Sequence, residues 1–398
     1  MNIELLNGKI KFNNKTLSLE FFLDNNQCFY KKDNKEFKTI TLDNLNSEVK
    51  KARIEITLKC NMACNYCIVY KNFVEQANNH MSLENAKKTL DKINSYWTIK
   101  SLMIIWWEPL SNPESLKYLC TNFDWKKAIF TNWYFITPEW INFFNKTNSR
   151  IMISLDWKRN HNINRLDKSG NETFSIIVDK IKLIKKYWWN FTLNTLVTNN
   201  TVNELYDIFI YFVEELKIDS FWLSYPHYTK ENIEFAKDFD YKEYTKNMKK
   251  IFDYSKKNWI YVNQLKNILK YVLYWKKKEY ACKIVWEQIT FYPDWKQTFC
   301  TKLDKLEKKV TPYEIKRDLP IISNEKCDSC ISKMICWGGC PWDNEFDESK
   351  YDIRMCHFNI ELTNYIIEDI YNEALILYNN WLDIDKWLES IYSKMLKK

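Results

Sequence analysis

From Ala52 to Ser224 the chain repeats strand, loop and helix, and this rhythm restricts the fold more than any other feature. Apolar runs at 53–58, 102–105, 128–131, 151–155, 191–197 and 221–224 read as strands. Helices are expected between them. Ser82 is placed to cap one, Pro113 and Pro138 open two more, and 174–186 and 202–216 carry helical patterns. Strands that alternate with helices build a parallel sheet, because the crossover needs a helix to return the chain. The prediction is an α/β fold of about six βα units, closed or partly closed into a barrel. Such a barrel takes roughly 200–250 residues, so a chain of 398 has room for a second domain.

The flanking segments differ in pattern. Residues 1–50 alternate apolar and polar positions in short stretches and read as a β-rich lead-in. Residues 51–226 are the barrel core and 227–280 a charged helical connector. Residues 281–357 hold seven of the 12 cysteines on no clean period, and 358–398 turn helical again. Basic residues exceed acidic ones by eight but are dispersed, so nucleic acid is not an expected partner. No apolar stretch approaches the ~20 residues of a membrane span, and the N-terminus lacks a signal-peptide pattern. A cytoplasmic location is expected, where cysteines serve metals or redox chemistry rather than disulfides.

Cys60, Cys64 and Cys67 follow the first barrel strand at C-x3-C-x2-C spacing. Three thiolates on one loop can hold three irons of a 4Fe–4S cube and leave the fourth iron open. The alternative is a zinc site, but structural zinc takes four ligands, and no nearby His or Cys completes this set.

This loop, with aromatic Tyr66 before the last cysteine, resembles the signature of the radical S-adenosylmethionine (SAM) superfamily. Ile104-Ile105-Trp106-Trp107-Glu108-Pro109 is similar to that family's strand-two motif, usually Gly-Gly-Glu-Pro. Phe130-Thr131-Asn132-Trp133 resembles its Thr-Asn-Gly motif, and Ser154-Leu155-Asp156-Trp157 its Ser-Leu-Asp-Gly motif, with His161 and Arg165 downstream. Asn162 stands where that downstream pattern has Asp. The resemblance implies a partial (β/α)6 TIM-type barrel in which SAM chelates the open iron. One electron, from a donor such as flavodoxin or ferredoxin, would cleave SAM to a 5′-deoxyadenosyl radical that abstracts a substrate hydrogen. It also implies SAM contacts from Tyr66, Trp106, Trp107, Glu108, Asn132, Ser154 and Arg165. Arg165 suits a carboxylate because its planar fork binds bidentately. His161, a lone histidine on this segment, is expected to be structural.

Cys282 and Cys300 are followed by Cys327-x2-Cys330-x5-Cys336-x3-Cys340 and a distant Cys356. This series resembles the SPASM domain, a loop-rich module with two auxiliary 4Fe–4S clusters. The resemblance implies an outer cluster on Cys327, Cys330, Cys336 and Cys356, and an inner one on Cys282, Cys300 and Cys340. A pair of zinc ribbons is the alternative. Cys28 and Cys120 are left over and read as buried thiols.

Glycine is scarce, with four residues against a usual roughly 28 in this length, while tryptophan numbers 18. Trp106, Trp107, Trp133, Trp157 and Trp295 all stand where the resembled family has glycine. Glycine serves where backbone nears a ligand or turns through positive φ. A gene that uses UGA for glycine, translated with UGA as tryptophan, would yield both features.

The resemblance implies a SAM-cleaving enzyme that modifies a peptide or protein substrate. Sulfatase maturases are neighbours within the family, yet they carry Asp directly after the second SPASM cysteine, where this chain has Thr301. The alternatives are an RNA-modifying enzyme, or an impaired iron–sulfur protein should the tryptophans be genuine. One prediction follows from the cysteine-rich segment, whose apolar residues are too scattered for a core, so that metal bonds should supply its folding free energy. Replacing Cys327 and Cys330 should open residues 300–356 to limited proteolysis while a barrel fragment stays intact. An unchanged digestion pattern would show that metal does not hold this segment.

Overall fold

The computed structural model describes residues 2–6, 9–14, 17–24, 27–32, 49–67, 79–187, 191–226, 233–274, 288–299, 327, 330–336, 353–380, 382 and 384–396. The chain divides into two compact units. One comprises 46–239 with 283–316, and the other 1–45, 240–282 and 317–398.

The first unit is built on a parallel sheet. Strands β5 (Lys51–Ile54), β6 (Ser101–Ile104), β7 (Lys126–Thr131), β8 (Ser149–Ser154), β9 (Phe191–Leu196) and β10 (Ser220–Ser224) lie side by side in chain order. Each pairs in parallel with the next, as in Ile54↔Ile104, Ile104↔Ile129 and Ile129↔Ile151. Helices α1 (Leu83–Ser95), α2 (Pro113–Asn122), α3 (Pro138–Lys146), α4 (Lys158–Asn164), α5 (Phe174–Lys185) and α6 (Leu205–Glu214) supply the crossovers. Ile54, Leu102, Ile104, Ile129, Ile151, Ile153 and Leu193 are at most 1% exposed, so the sheet is packed rather than hollow. Helix starts follow local chemistry. Ser82 Oγ accepts from Asn85 N at 3.1 Å, and prolines open α2 and α3, where a missing N–H is harmless.

The sequence reading ended the sheet near residue 226, and the structure extends it. Strand β12 (Gln288–Phe291) runs parallel to β5 on its free side, and β13 (Gln297–Thr298) turns back antiparallel. A four-residue strand this far from its partner has no periodic signal of its own. It is recruited by the open edge of β5, whose unpaired N–H and C=O groups need partners.

The second unit combines a meander with helices. Strands β1 (Asn2–Leu6), β2 (Lys9–Asn14), β3 (Leu17–Asp24) and β4 (Gln27–Lys32) pair antiparallel in order, as expected of the lead-in. After the short α7 (Ile233–Ala236) of the first unit, its helices are α8 (Tyr241–Asn258), α9 (Asn263–Tyr274), α10 (Lys333–Cys336), α11 (Ile353–Asn379) and α12 (Ile384–Leu396). The segment read as a connector packs on the C-terminal helices. Lys256 of α8 meets Asp369 at 2.5 Å and Glu373 at 2.8 Å on α11, and Tyr365 donates to Asp253. The linear boundaries therefore do not match the compact units, because α8 finds its apolar partner about a hundred residues later in the chain. No described helix is long and apolar enough to cross a membrane.

Candidate active site

The carboxyl ends of β5–β10 surround a cavity of about 280 Å³. Cys60, Cys64 and Cys67 line one side, and Asn132, Ser154 and Arg165 another. The cysteine loop is held by backbone pairing to the segment after α4. Ala63 N donates to Leu166 O, Asn65 N to Asn164 O, and Lys168 N to Asn61 O, all at 2.9–3.0 Å. Burial pushes the Cys64 thiol up to about 11 and raises Cys60 further, and each thiol's neighbours in the triad add to the effect. Thiols pushed up in this way, Cys60 and Cys64, are stable as thiolates only beside positive charge, which a metal supplies.

Among the described residues no three Cys, His, Asp or Glu side chains are disposed around a single ion. Three cysteines suit a cube better than structural zinc, which takes four ligands, since each of three corner irons takes one thiolate. Met62 N (3.4 Å) and Asn132 Nδ2 (3.7 Å) both donate to Cys60 Sγ. The donor set fits a 4Fe–4S cluster with one open iron.

Glu108, expected to contact SAM, does not line the cavity but braces two residues that do, Thr131 and Asn132. Fully buried, it accepts from Leu110 N (3.0 Å), Thr131 Oγ1 (2.7 Å) and Asn132 N (2.8 Å), and its own N–H donates to Lys59 O (3.0 Å). Burial lifts its carboxyl to about 7 although these donors pull the other way. Asn132, aligned this way, donates to Asn61 Oδ1 at 2.7 Å, so its amide secures the cysteine loop.

The opposite wall is a relay that sequence reasoning left unassigned. Tyr66 donates to Asp156 Oδ2 and accepts from Arg165 Nη1 at 3.0 Å, while Asp156 Oδ1 accepts from Leu196 N at 2.8 Å. All three side chains are at least 90% buried. Asp156 sits in the Ser-Leu-Asp stretch noted in the sequence, yet nothing in one sequence says that its carboxylate faces Tyr66. Arg165 Nε is a buried donor with no hydrogen-bond partner, beside a cavity open to an anionic ligand. His161 is structural. Its Nδ1 accepts from Asp156 N (3.3 Å), which leaves Nε2–H to donate to Thr173 Oγ1 (2.8 Å). Ser154 lines the cavity at the end of β8.

Trp106 (φ 72°), Trp107 (φ 52°), Trp133 (φ 68°) and Trp295 (φ 70°) are left-handed, as the glycine argument requires. Each such position costs a bulky residue about 1–3 kcal/mol. Trp157 departs from that expectation. Its φ is −58°, which any residue adopts, and its ring packs edge-on against Tyr211 at 5.1 Å. Of the auxiliary cysteines, Cys282, Cys300 and Cys340 lie outside the described residues. Cys327, Cys330, Cys336 and Cys356 lie within them. Ser332 Oγ bonds Asn359 O (2.8 Å) and Thr363 Oγ1 (2.9 Å), which docks the loop carrying the first three on the α11 face that carries Cys356. The side chain of Cys28 is outside the description, and Cys120 is buried, its thiol pushed up to about 12.

A family model described as the Radical SAM superfamily matches residues 54–210, which spans the cysteine loop, Glu108 and the Asp156–Arg165 wall. Residues 54–210 are thus similar to a radical SAM domain. A cysteine-type anaerobic sulfatase-maturating enzyme of Clostridium perfringens is 25% identical over 222 residues, covering 49% of this chain and 57% of the relative. A serine-type enzyme of Bacteroides thetaiotaomicron is 26% identical over 169 residues, covering 39% and 41%. The chain thus matches only about half the length of these curated relatives. Two solved structures share the fold. One is anSMEcpe with bound AdoMet and a Cp18Cys peptide (TM-score 0.64, 20% identity, 82% of this chain and 99% of that one). The other is Streptococcus suis SuiB bound to precursor peptide SuiA (0.58, 16%, 79% and 77%).

The neutral His161 gives a pH dependence. Burial and the Arg165 charge push it down to about 2 in the folded state, against about 6.5 unfolded. Below pH 6.5 the unfolded chain takes up a proton that the folded chain refuses, so stability falls as pH falls. By pH 5 the loss is about 2 kcal/mol. Glu108 acts in the opposite direction, so the measurement is a difference. Denaturant unfolding of wild type and His161→Gln from pH 7 to 5 should show the variant losing about 2 kcal/mol less. Parallel curves would contradict a neutral buried His161.

Proposed function

We propose that this chain is a radical SAM enzyme that abstracts a hydrogen atom from a peptide or protein substrate in a post-translational modification. The observation that carries the reading is the cysteine triad opening on the same cavity as the Tyr66–Asp156–Arg165 relay. Cys60, Cys64 and Cys67 would hold the 4Fe–4S cluster and leave one iron for the amino and carboxylate groups of SAM. Together the cluster and SAM supply a 5′-deoxyadenosyl radical, given one electron from a low-potential flavodoxin or ferredoxin. Arg165, held charged beside Tyr66 and Asp156, orients a carboxylate by hydrogen bonding. Glu108 keeps Asn132 on the cysteine loop, so the cluster ligands stay in register with the cavity. The peptide class is supported by the relatives and by the peptide-bound fold neighbours. The auxiliary cysteines would hold two further clusters that relay electrons or bind substrate.

Anaerobically reconstituted protein with glycine at 106, 107 and 133 should bind about 12 irons, as three four-iron clusters. Changing Cys60, Cys64 and Cys67 to Ala should remove about four and abolish 5′-deoxyadenosine formation. Retained cleavage after that loss would refute the assignment. Asp156→Asn should leave iron content unchanged and weaken SAM binding about tenfold, the effect of one misplaced charge-assisted hydrogen bond. Unchanged affinity in equilibrium dialysis would remove Asp156 from the positioning role.

A further inference from the structure

We infer that the functional protein carries glycine, not tryptophan, at positions 106, 107, 133, 259 and 295. Seven non-glycine residues among those described have left-handed φ, and five of them are tryptophan. Only a few per cent of non-glycine residues take such angles, and asparagine, aspartate and histidine are favoured among them. Tryptophan has no side-chain chemistry that pays locally for αL, yet five of the eleven described tryptophans adopt it.

Trp259 widens the pattern beyond the catalytic unit. It follows α8 at φ 60° and ψ 37°, and its N–H donates to Ser255 O. That is the left-handed cap at which helices end on glycine. No resemblance to a glycine motif brought this position forward. Trp295 is similar, closing the Tyr292–Trp295 turn between β12 and β13 at φ 70°. Glycine's habitual places, here a helix cap, a hairpin turn and two strand-end turns, are filled by tryptophan at five of the seven left-handed non-glycine positions.

The side chains agree. Trp133 is fully buried, and its indole Nε1 has no hydrogen-bond partner. Buried indole N–H groups are ordinarily satisfied. Trp106 and Trp107 wall the cavity. Glycine at 106 and 107 removes two indoles from that wall and lets backbone face the ligand. The common cause is a codon, since UGA read as glycine in the source organism becomes tryptophan when translated by another table. The four glycines and 18 tryptophans of the chain are the global trace of the same substitution.

The residue identity stands apart from the proposed function, while the effect on SAM rests on that reading. Two measurements settle identity without any cofactor. In-frame UGA codons at the five positions, with glycine-mass peptides from the native protein, are expected. UGG codons, or indole mass at 106, 107 or 133, would overturn the inference. A recombinant comparison gives an independent sign. Trp133→Gly removes a large, fully buried side chain and must lower Tm if tryptophan is native there. If glycine is native, Tm holds or rises, and further changes at 106, 107, 259 and 295 should each add about 2–4 °C. A fall in Tm with Trp133→Gly counts against the inference. SAM affinity of the five-position variant should exceed that of the written chain at least tenfold. Glycine peptides with no SAM binding would leave the identity standing and sink the enzymatic reading instead.

Discussion

The fully buried carboxylate of Glu108 is the interaction on which the cavity end of the sheet depends. It accepts from groups at the ends of two strands and stands beside a backbone bond to Lys59, immediately before Cys60. A buried carboxylate is tolerable only when its lone pairs are filled, so its three donors are held in place as firmly as it is. The cysteine loop, the β6 turn and the β7 turn therefore form one rigid floor, and Asn132 conveys that rigidity to Cys60.

The facing wall is organised by charge. Arg165 is held by the Tyr66 hydroxyl, which Asp156 in turn orients, while a backbone amide of β9 fixes Asp156. Burial alone would disfavour the charged Arg165, and the nearby Tyr66, Cys64 and Asp156 overcome it. His161 stays neutral behind this wall, because a second positive charge beside Arg165 in a dry site would be repelled. Two hydrogen bonds then lock its tautomer and pin Thr173 to Arg165 O. The cavity thus lies between a floor that holds sulfur ligands and a wall that offers a fixed cation.

The helical unit shows a different economy. Lys256 lies between two carboxylates of α11, and Tyr392 donates to one of them, Asp369. These bonds connect segments far apart in the chain, so α8 belongs with the C-terminal helices rather than to a linker. Its end at Trp259 repeats, in the second unit, the left-handed geometry seen at the cavity residues of the first. A feature shared by a helix cap, a hairpin and an active-site turn is a property of the written sequence, not of one site.

Much of the parallel-sheet unit was legible in the chain itself. The strand–helix alternation gave six parallel strands in order, because apolar periodicity and crossover geometry are local facts. The cysteine spacing gave the triad, because three ligands on one loop need no distant partner. Strand β12 was not legible, since a four-residue segment takes its identity from the edge it joins. Nor were the roles of Asp156, of Asn132 toward Cys60, or of Tyr66 as the link between Asp156 and Arg165. Those depend on side chains 70 to 99 residues apart meeting across strand ends. Composition alone raised the question of the tryptophans, but it could not say which of the 18 mattered. Only the folded backbone separates Trp106, Trp107, Trp133, Trp259 and Trp295 from Trp157, because φ at a turn is set by where the chain must go next, and one residue type goes there without strain.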